Sequence, residues 1–342
     1  MKDRREENYV LIVGAAFVLA LVVVSAALWV LKQGKDPVSA GLPQANSTGD
    51  DKGKGKGKKD KKPPTDAKQW AGGKTYESSG AAWVAGTNQV LFVDDKDAQN
   101  IFCVTLDDNA DQSGDLIAVP LGTTVDDAED ITFDGTYYYV QGSQFRKKSD
   151  QGAGIVRFKY DPTSRSVSDL QGIEDWKGVL IKNVTELAAS QGQVRTEDAI
   201  NIEGLGWDPN GKRLMLGFRN PLMNGSAMIV PVGLKDAAGA FTADNLSFAP
   251  AVKLDLEGLA IRAIEWDAAK NKFLIIAGAT EGEKKEGFFL WSWDGSGAPE
   301  KVEELDKKIK PEGIASIDRD GNHFLYVVGD AGYYQRLDDP LQ

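Results

Sequence analysis

The 342-residue sequence predicts an all-β fold, a five- or six-bladed β-propeller, preceded by one transmembrane helix and a disordered linker. Three observations carry that expectation. A motif recurs along the C-terminal part of the chain, each copy breaks at a turn between two apolar runs, and an uncharged apolar stretch stands near the N-terminus.

That stretch, residues 9–31, has no charged side chain. At about 1.5 Å per residue it is long enough for the ~30 Å hydrocarbon core, and it lacks the two-faced pattern of a water-soluble helix. It also exceeds the ~7–15 apolar residues of a cleavable signal, so the sequence predicts an uncleaved anchor that partners the lipid bilayer. Residues 1–8 form a short basic tail with Lys2, Arg4 and Arg5, while Lys32 and Lys35 stand just after the span. A short basic tail before a first apolar segment directs export of the downstream chain, which places the C-terminal domain outside the cytoplasm of a single-pass membrane protein. Residues 32–69, with the run KGKGKGKKDKKPP, have too few large apolar side chains to offset the entropy of ordering and read as the linker. The propeller is expected over residues 70–342.

The repeat has a weaker first copy, SGAAWVAGTNQVLFVDD from Ser79, and four plain ones. These are EDITFDGTYYYVQGS from Glu129, EGLGWDPNGKRLMLGFRN from Glu203, RAIEWDAAKNKFLIIAGAT from Arg262 and EGIASIDRDGNHFLYVVGDAG from Glu312. Trp83, Phe133, Trp207, Trp266 and Ile317 align at spacings of 50, 74, 59 and 51 residues, as four-stranded blades with variable outer loops require. Asp, Asn and Gly between the apolar runs suit tight hairpins, so each copy is two antiparallel strands. The run after each turn is almost continuously apolar, which predicts a strand packed on both faces. One helical segment is expected, around residues 184–190.

Charge narrows the function. The chain carries a net charge of -11, but residues 70–342 hold 27 basic and 43 acidic side chains, a net of -16. Nucleic acid is excluded as a partner, since it needs a basic footprint. The single cysteine, Cys103, sits in an apolar run as a core residue, and the single histidine, His323, leaves a Ser/His/Asp triad without members.

The segments SSGAAW, AEDITFDGTYYYVQGSQFRKK, INIEGLGWD, GFRNPLMNGSAMIVPV, LEGLAIRAIEW, IIAGATEGEKKEGFFLWSWDG and PEGIASID resemble, in order, the motifs of the bacterial family named domain of unknown function 3616. The resemblance implies a β-propeller without an established reaction, distantly similar to esterase-like phytase and lactonase-type propellers. Where the family often reads Gly-Ser-His, this chain has Gly142-Ser143-Gln144.

In a propeller the first strand of each blade lines the axis, so its entry residue points to one mouth. That column reads Ser79, Glu129, Glu203, Arg262 and, with a one-residue slip, Glu312; Asp130, Glu257 and Glu265 are close in sequence. Converging oxygen ligands from Glu129, Asp130, Glu203 and Glu312 suit Ca²⁺ or Mg²⁺ as a cofactor, or else they serve the fold. Arg219, Asn220 and Arg262 are candidates to bind an anionic ligand or to clamp carboxylates within the ring. Asp107, Asn109, Asp111 and Asp115 have the alternating spacing of a calcium loop, although Gln112 stands where such loops place glycine. Two readings stay open: an extracytoplasmic module that binds a small molecule or a protein, and a divalent-metal-dependent hydrolase of an ester, lactone or phosphoester.

Overall fold

Aspartate side chains set the first hairpin of the middle blades. Asp134 Oδ1 accepts the amides of Thr136 and Tyr137, both at 2.7 Å, and Asp208 Oδ1 accepts those of Asn210 and Gly211 at 3.0 and 2.9 Å. Asp267 Oδ1 does the same for Ala269 and Lys270, at 3.0 and 3.2 Å. The Asp after each aromatic residue is therefore an Asx-turn anchor that reverses the chain.

The computed structural model describes residues 66–71, 75–145, 152–280 and 287–341. These strands form five antiparallel sheets, so the blade number is five. Blade 1 comprises Ser78–Trp83, Gln89–Asp94, Asn100–Thr105 and Ile117–Pro120; blade 2 comprises Ala128–Phe133, Tyr138–Gly142, Ile155–Asp161 and Ser166–Ile173. Blade 3 has Asn201–Asp208, Arg213–Met223 and Ser226–Leu234, the last of which pairs with two short outer strands, Leu246–Phe248 and Val252–Leu254. Blade 4 has Ala260–Asp267, Lys272–Gly278, Phe288–Trp293 and Glu300–Leu305. Blade 5 has Pro311–Arg319, Asn322–Gly329 and Tyr333–Asp338, and takes its outer strand, Lys68–Gln69, from the other end of the domain.

That pairing closes the ring. Lys68 lies opposite Tyr334 and Gln69 opposite Tyr333. Behind them Trp70 is buried, stacked on Phe92 of blade 1 at 5.0 Å and against Tyr334 of blade 5 at 4.6 Å. The closing strand thus begins inside the segment that composition assigns to the linker, because two residues of backbone pairing leave no hydrophobic signature.

Five apolar clusters fill the blade interfaces. Val90 and Phe92 face blade 5, whereas Leu91 and Val93 face blade 2. Tyr138 and Val140 face blade 1, whereas Tyr139 faces blade 3. Strand side chains alternate, so a strand sandwiched between two sheets must be apolar on both sides. Cys103 is a free thiol in the cluster between blades 1 and 2.

The long second spacing holds an α-helix, Trp176–Asn183, whose first turn is capped by Asp175 and whose Trp176 and Leu180 are buried between blades 2 and 3. A 3-10 helix, Thr185–Ser190, comes next, where the sequence places its single helix. Among the described residues no helix is long and apolar enough to cross a membrane. The run 9–31 and residues 32–65 of the linker lie outside the described residues.

Candidate functional site

The inner strand of each blade is the edge of its sheet, and each carries a bulge at the same level. Pairing with the second strand skips Gly80 in blade 1, Glu129 in blade 2, Glu203 in blade 3, Arg262 in blade 4 and Glu312 in blade 5. A bulge leaves one residue out of the ladder and re-aims its side chain. Repeated five times, it brings Glu129, Glu203, Arg262 and Glu312 to one axial mouth. The first-blade member is Gly80 and not Ser79, and Glu312 takes its place with the one-residue slip relative to the aromatic column. Gly80 is required because a Cβ there would run into the Asp130 backbone of the neighbouring inner strand.

The mouth opens into a cavity of about 740 Å³. Arg262, 6% exposed, lies at its floor between two carboxylates, with Nε 2.8 Å from Glu203 Oε2 and Nη2 donating to Glu312. The Nε contact has ion-pair distance without hydrogen-bond direction. Arg219 Nη1 donates to Glu203 Oε1 at 2.8 Å and its Nε to the Ala279 carbonyl at 3.3 Å. Asn201 adds a third donor to Glu203, at 3.2 Å. Arg262 and Arg219 are therefore internal clamps, and the ring supplies its own counter-charge. Asn220 lies outside the cavity wall; its side-chain amide is buried and donates to the Glu197 carbonyl at 3.1 Å.

Glu129 is the exception in the ring. Half-buried on the cavity wall, it makes no hydrogen bond or ion pair among the described residues. Burial, reinforced by Glu203 and Asp127, pushes its carboxyl well above the usual carboxylate range, and Arg262 only partly opposes this. Asp95, also on the wall, is pushed up to about 6, chiefly by burial, against the pull of Lys96 at 2.8 Å.

Asp130 is not a member of the mouth. Its Oδ2 accepts the Leu205 amide of blade 3 at 2.7 Å and its Oδ1 its neighbour Ile131 at 2.8 Å, so it staples two inner strands whose edge amides face the axis. Glu265 does the same for blades 4 and 5 through the Ser316 amide at 3.2 Å. Glu257 points elsewhere and pairs with Lys301.

The candidate calcium loop is a self-satisfied hairpin. Asp107 Oδ1 accepts the amides of Asn109 and Asp111 at 2.8 and 2.9 Å, and the Asp111 carboxylate holds Lys68 Nζ at 2.6 Å. The loop thus anchors the closing strand. Among the described residues no group of three or more His, Cys, Asp and Glu side chains is disposed to hold a metal ion. At the position where the family often has histidine, Gln144 is buried and donates to the Gly142 and Gly154 carbonyls at 3.0 and 3.2 Å. His323 links Asp318 and Asp267, at 2.9 and 3.1 Å, between blades 4 and 5.

Sequence reasoning missed Asp127, Arg195 and Lys310, which reach the mouth from segments between blades, and Asp330, which reaches it from the turn between the second and third strands of blade 5. Lys310 and Asp330 pair at 2.8 Å. No internal repeat marks the interblade segments, so only the general abundance of charge before each copy hinted at them, and Asp330, at the end of the last copy, lies outside the aligned column.

Solved structures that match the chain include glutaminyl cyclase of Myxococcus xanthus, at 13% identity over 80% of this chain and 94% of that one, with a TM-score of 0.41. The β-propeller domain of Myceliophteria thermophila Cps50 (Swd1) matches at 11% identity over 73% and 66%, with a TM-score of 0.31. A chain of a mitotic checkpoint complex matches at 12% identity over 89% and 99%, with a TM-score of 0.37. No curated protein matches the chain. Residues 193–307, from the approach to blade 3 to the end of blade 4, match the model described as protein of unknown function (DUF3616), the family that the ordered motifs resemble.

Proposed function

We propose that the chain is a membrane-anchored, extracytoplasmic β-propeller that binds a small ligand with a cationic nitrogen in its axial mouth. The observation that carries this reading is Glu129, an unpaired carboxyl facing a cavity in which Glu203 and Glu312 are already matched by Arg262 and Arg219. A ligand ammonium beside Glu129 would relieve the burial penalty on its ionised form, so binding draws the raised Glu129 carboxyl toward ionisation and releases its proton where it still holds one. The same geometry disfavours Ca²⁺ or Mg²⁺ as the resident ion. A hard cation needs about six oxygens, and the clamps leave one ring carboxylate unmatched while Asp130 holds backbone amides.

The test is calorimetric titration of the full chain with putrescine, against neutral 1,4-butanediol. Binding of the diamine alone, with a heat that depends on the buffer's ionisation enthalpy, and its loss in Glu129→Gln, support the reading. Equal behaviour of diamine and diol, or an unaffected Glu129→Gln, refutes it. A rise in melting temperature with millimolar CaCl₂ that Glu129→Gln abolishes would favour the divalent-metal hydrolase instead.

A further inference from the structure

A second cavity, of about 730 Å³, lies between blades 2 and 3, on the side of the ring opposite the axial mouth. It is built by the turn ends of the inner strands, where the aromatic column of the repeat emerges, and by the crossing to the outer strands of blade 3. Its size is that of a small-molecule site.

Three features distinguish it from an ordinary gap between blades. Its walls include the partly exposed rings of Tyr137, Trp207 and Phe248, with Phe241 buried behind them. Next, the cationic side chains at the cavity are Arg157, Lys212, Arg213 and Lys235, against a single carboxylate, Asp134. Asp208 neutralises Arg213 at 2.9 Å, and Asp134 is taken up by two turn amides and the Tyr139 hydroxyl. The balance is positive inside a domain of strongly negative net charge, the reverse of what a merely solvated surface of this chain would show.

The third feature is a pair of open donors. Arg157 is 4% exposed and lies over the Tyr137 and Phe241 rings at 4.5 and 5.4 Å. Its Nη2 donates to Gln171 Oε1 and the Gly239 carbonyl at 3.0 and 2.8 Å, yet its Nε, buried, has no acceptor. Trp207 Nε1 likewise has no acceptor among the described residues, whereas the equivalent indole of Trp83 donates to its own turn at Thr87. A buried, unsatisfied charged donor is costly to keep, and an oxyanion supplies what it lacks.

We infer that this interblade cavity is a binding site for a small aromatic carboxylate, with its ring against Tyr137, Trp207 and Phe248 and the carboxylate toward Arg157 and the Trp207 N–H. Lys212 and Lys235 at the rim add long-range attraction for the anion. The site stands apart from the axial mouth in chemistry and in position: one takes an anion with a flat apolar body, the other a cation.

The test titrates the full chain with 2-naphthoate, with uncharged 2-naphthalenemethanol and with acetate, which lacks the ring. Naphthoate should bind one per chain, the alcohol at least tenfold more weakly, and acetate not measurably. Arg157→Lys, which keeps charge and loses the Nε donor and the planar stack, should weaken naphthoate about tenfold, or ~1.4 kcal/mol. If that variant fails to fold, the surface double variant Lys212→Gln/Lys235→Gln should lower affinity severalfold with an unchanged melting temperature, and Trp207→Phe should lower it while keeping a ring in place. Glu129→Gln, in the other mouth, should leave naphthoate affinity unaltered. Equal affinity for acid and alcohol, indifference of naphthoate to all three cavity variants, or a loss of naphthoate binding in Glu129→Gln would overturn the assignment.

Discussion

Replacing Glu265 with glutamine should make the domain more stable at alkaline pH, and the size of the effect is set by where this carboxyl sits. Glu265 is half-buried on the inner strand of blade 4 and accepts the Ser316 amide of blade 5 at 3.2 Å. Burial pushes its pKa from 4.5 to about 8, outweighing the backbone donors that favour the ionised form. The folded chain therefore keeps a proton that the unfolded chain releases across that interval, and stability falls as pH rises from about 4.5 to about 8. At 1.36 kcal/mol per unit the ceiling is about 5 kcal/mol. Partial solvent access screens this to about 2–3 kcal/mol. Glutamine retains an oxygen for the Ser316 amide and cannot ionise. Urea unfolding of the full chain should give Glu265→Gln within about 1 kcal/mol of the parent at pH 4, and about 2–3 kcal/mol above it at pH 9. Glu129, raised in the same sense, cancels because both proteins contain it, whereas Asp130, which the Glu265 charge helps to raise, moves down in the variant and adds to its gain at high pH. Parallel pH profiles of parent and variant would refute the argument.

Other outcomes test other parts of the structure. Trp70→Ala removes the ring that joins blades 5 and 1 and should cost about 3–5 kcal/mol in urea unfolding; a chain beginning at Tyr76 should show a similar loss, whereas one beginning at Asp66 should not. Arg262→Met strands Glu312 at the mouth floor, leaves Glu203 only Arg219 and Asn201, and should cost about 3–5 kcal/mol at neutral pH. That penalty should shrink in acid, because carboxylates left without a cation have raised pKa values and lose stability as pH rises. For the proposed topology, protease added to intact cells or spheroplasts should cleave the domain or its tether; full protection until lysis would place the domain inside.

The repeat was legible because a propeller demands the same local solution in every blade. Asp134, Asp208 and Asp267 hold equivalent turns, and the strands after them are apolar on both faces for one geometric reason. What resisted reading was anything fixed by register and not by residue type. The column aligned on the aromatic positions gave Glu129, Glu203 and Arg262 correctly. It erred at Ser79, and Glu312 needed a one-residue slip, because the distance from bulge to the aligned residue changes in the first and last blades. Asp130 and Glu129 are adjacent acids with opposite fates, and only the bulge decides which of them faces the axis. The two-residue closing strand left no pattern at all, yet it fixes where the domain begins.

The bulge also explains why charged side chains converge on the axis at this mouth. Inner-strand amides have no partner within their own sheet, so each must find an acceptor across the axis or in water. Deep in the channel Asp130 and Glu265 provide acceptors across blade boundaries, which ties the polar groups there to the fold. At the bulge level the ladder is broken and the side chains, not the amides, converge. Arginine is the side chain that can satisfy two carboxylates at once through a planar fork, and Arg262 does so for Glu203 and Glu312. With glycine at the fifth position, a ring of three carboxylates and one such cation leaves one carboxylate over. That surplus falls on Glu129, so the ligand chemistry of the mouth is dictated by the ring's own charge count. Moving the surplus should move the preference: Glu129→Gln should abolish putrescine binding, whereas Glu129→Asp, which keeps the charge and shortens the reach, should weaken it without loss of the proton release.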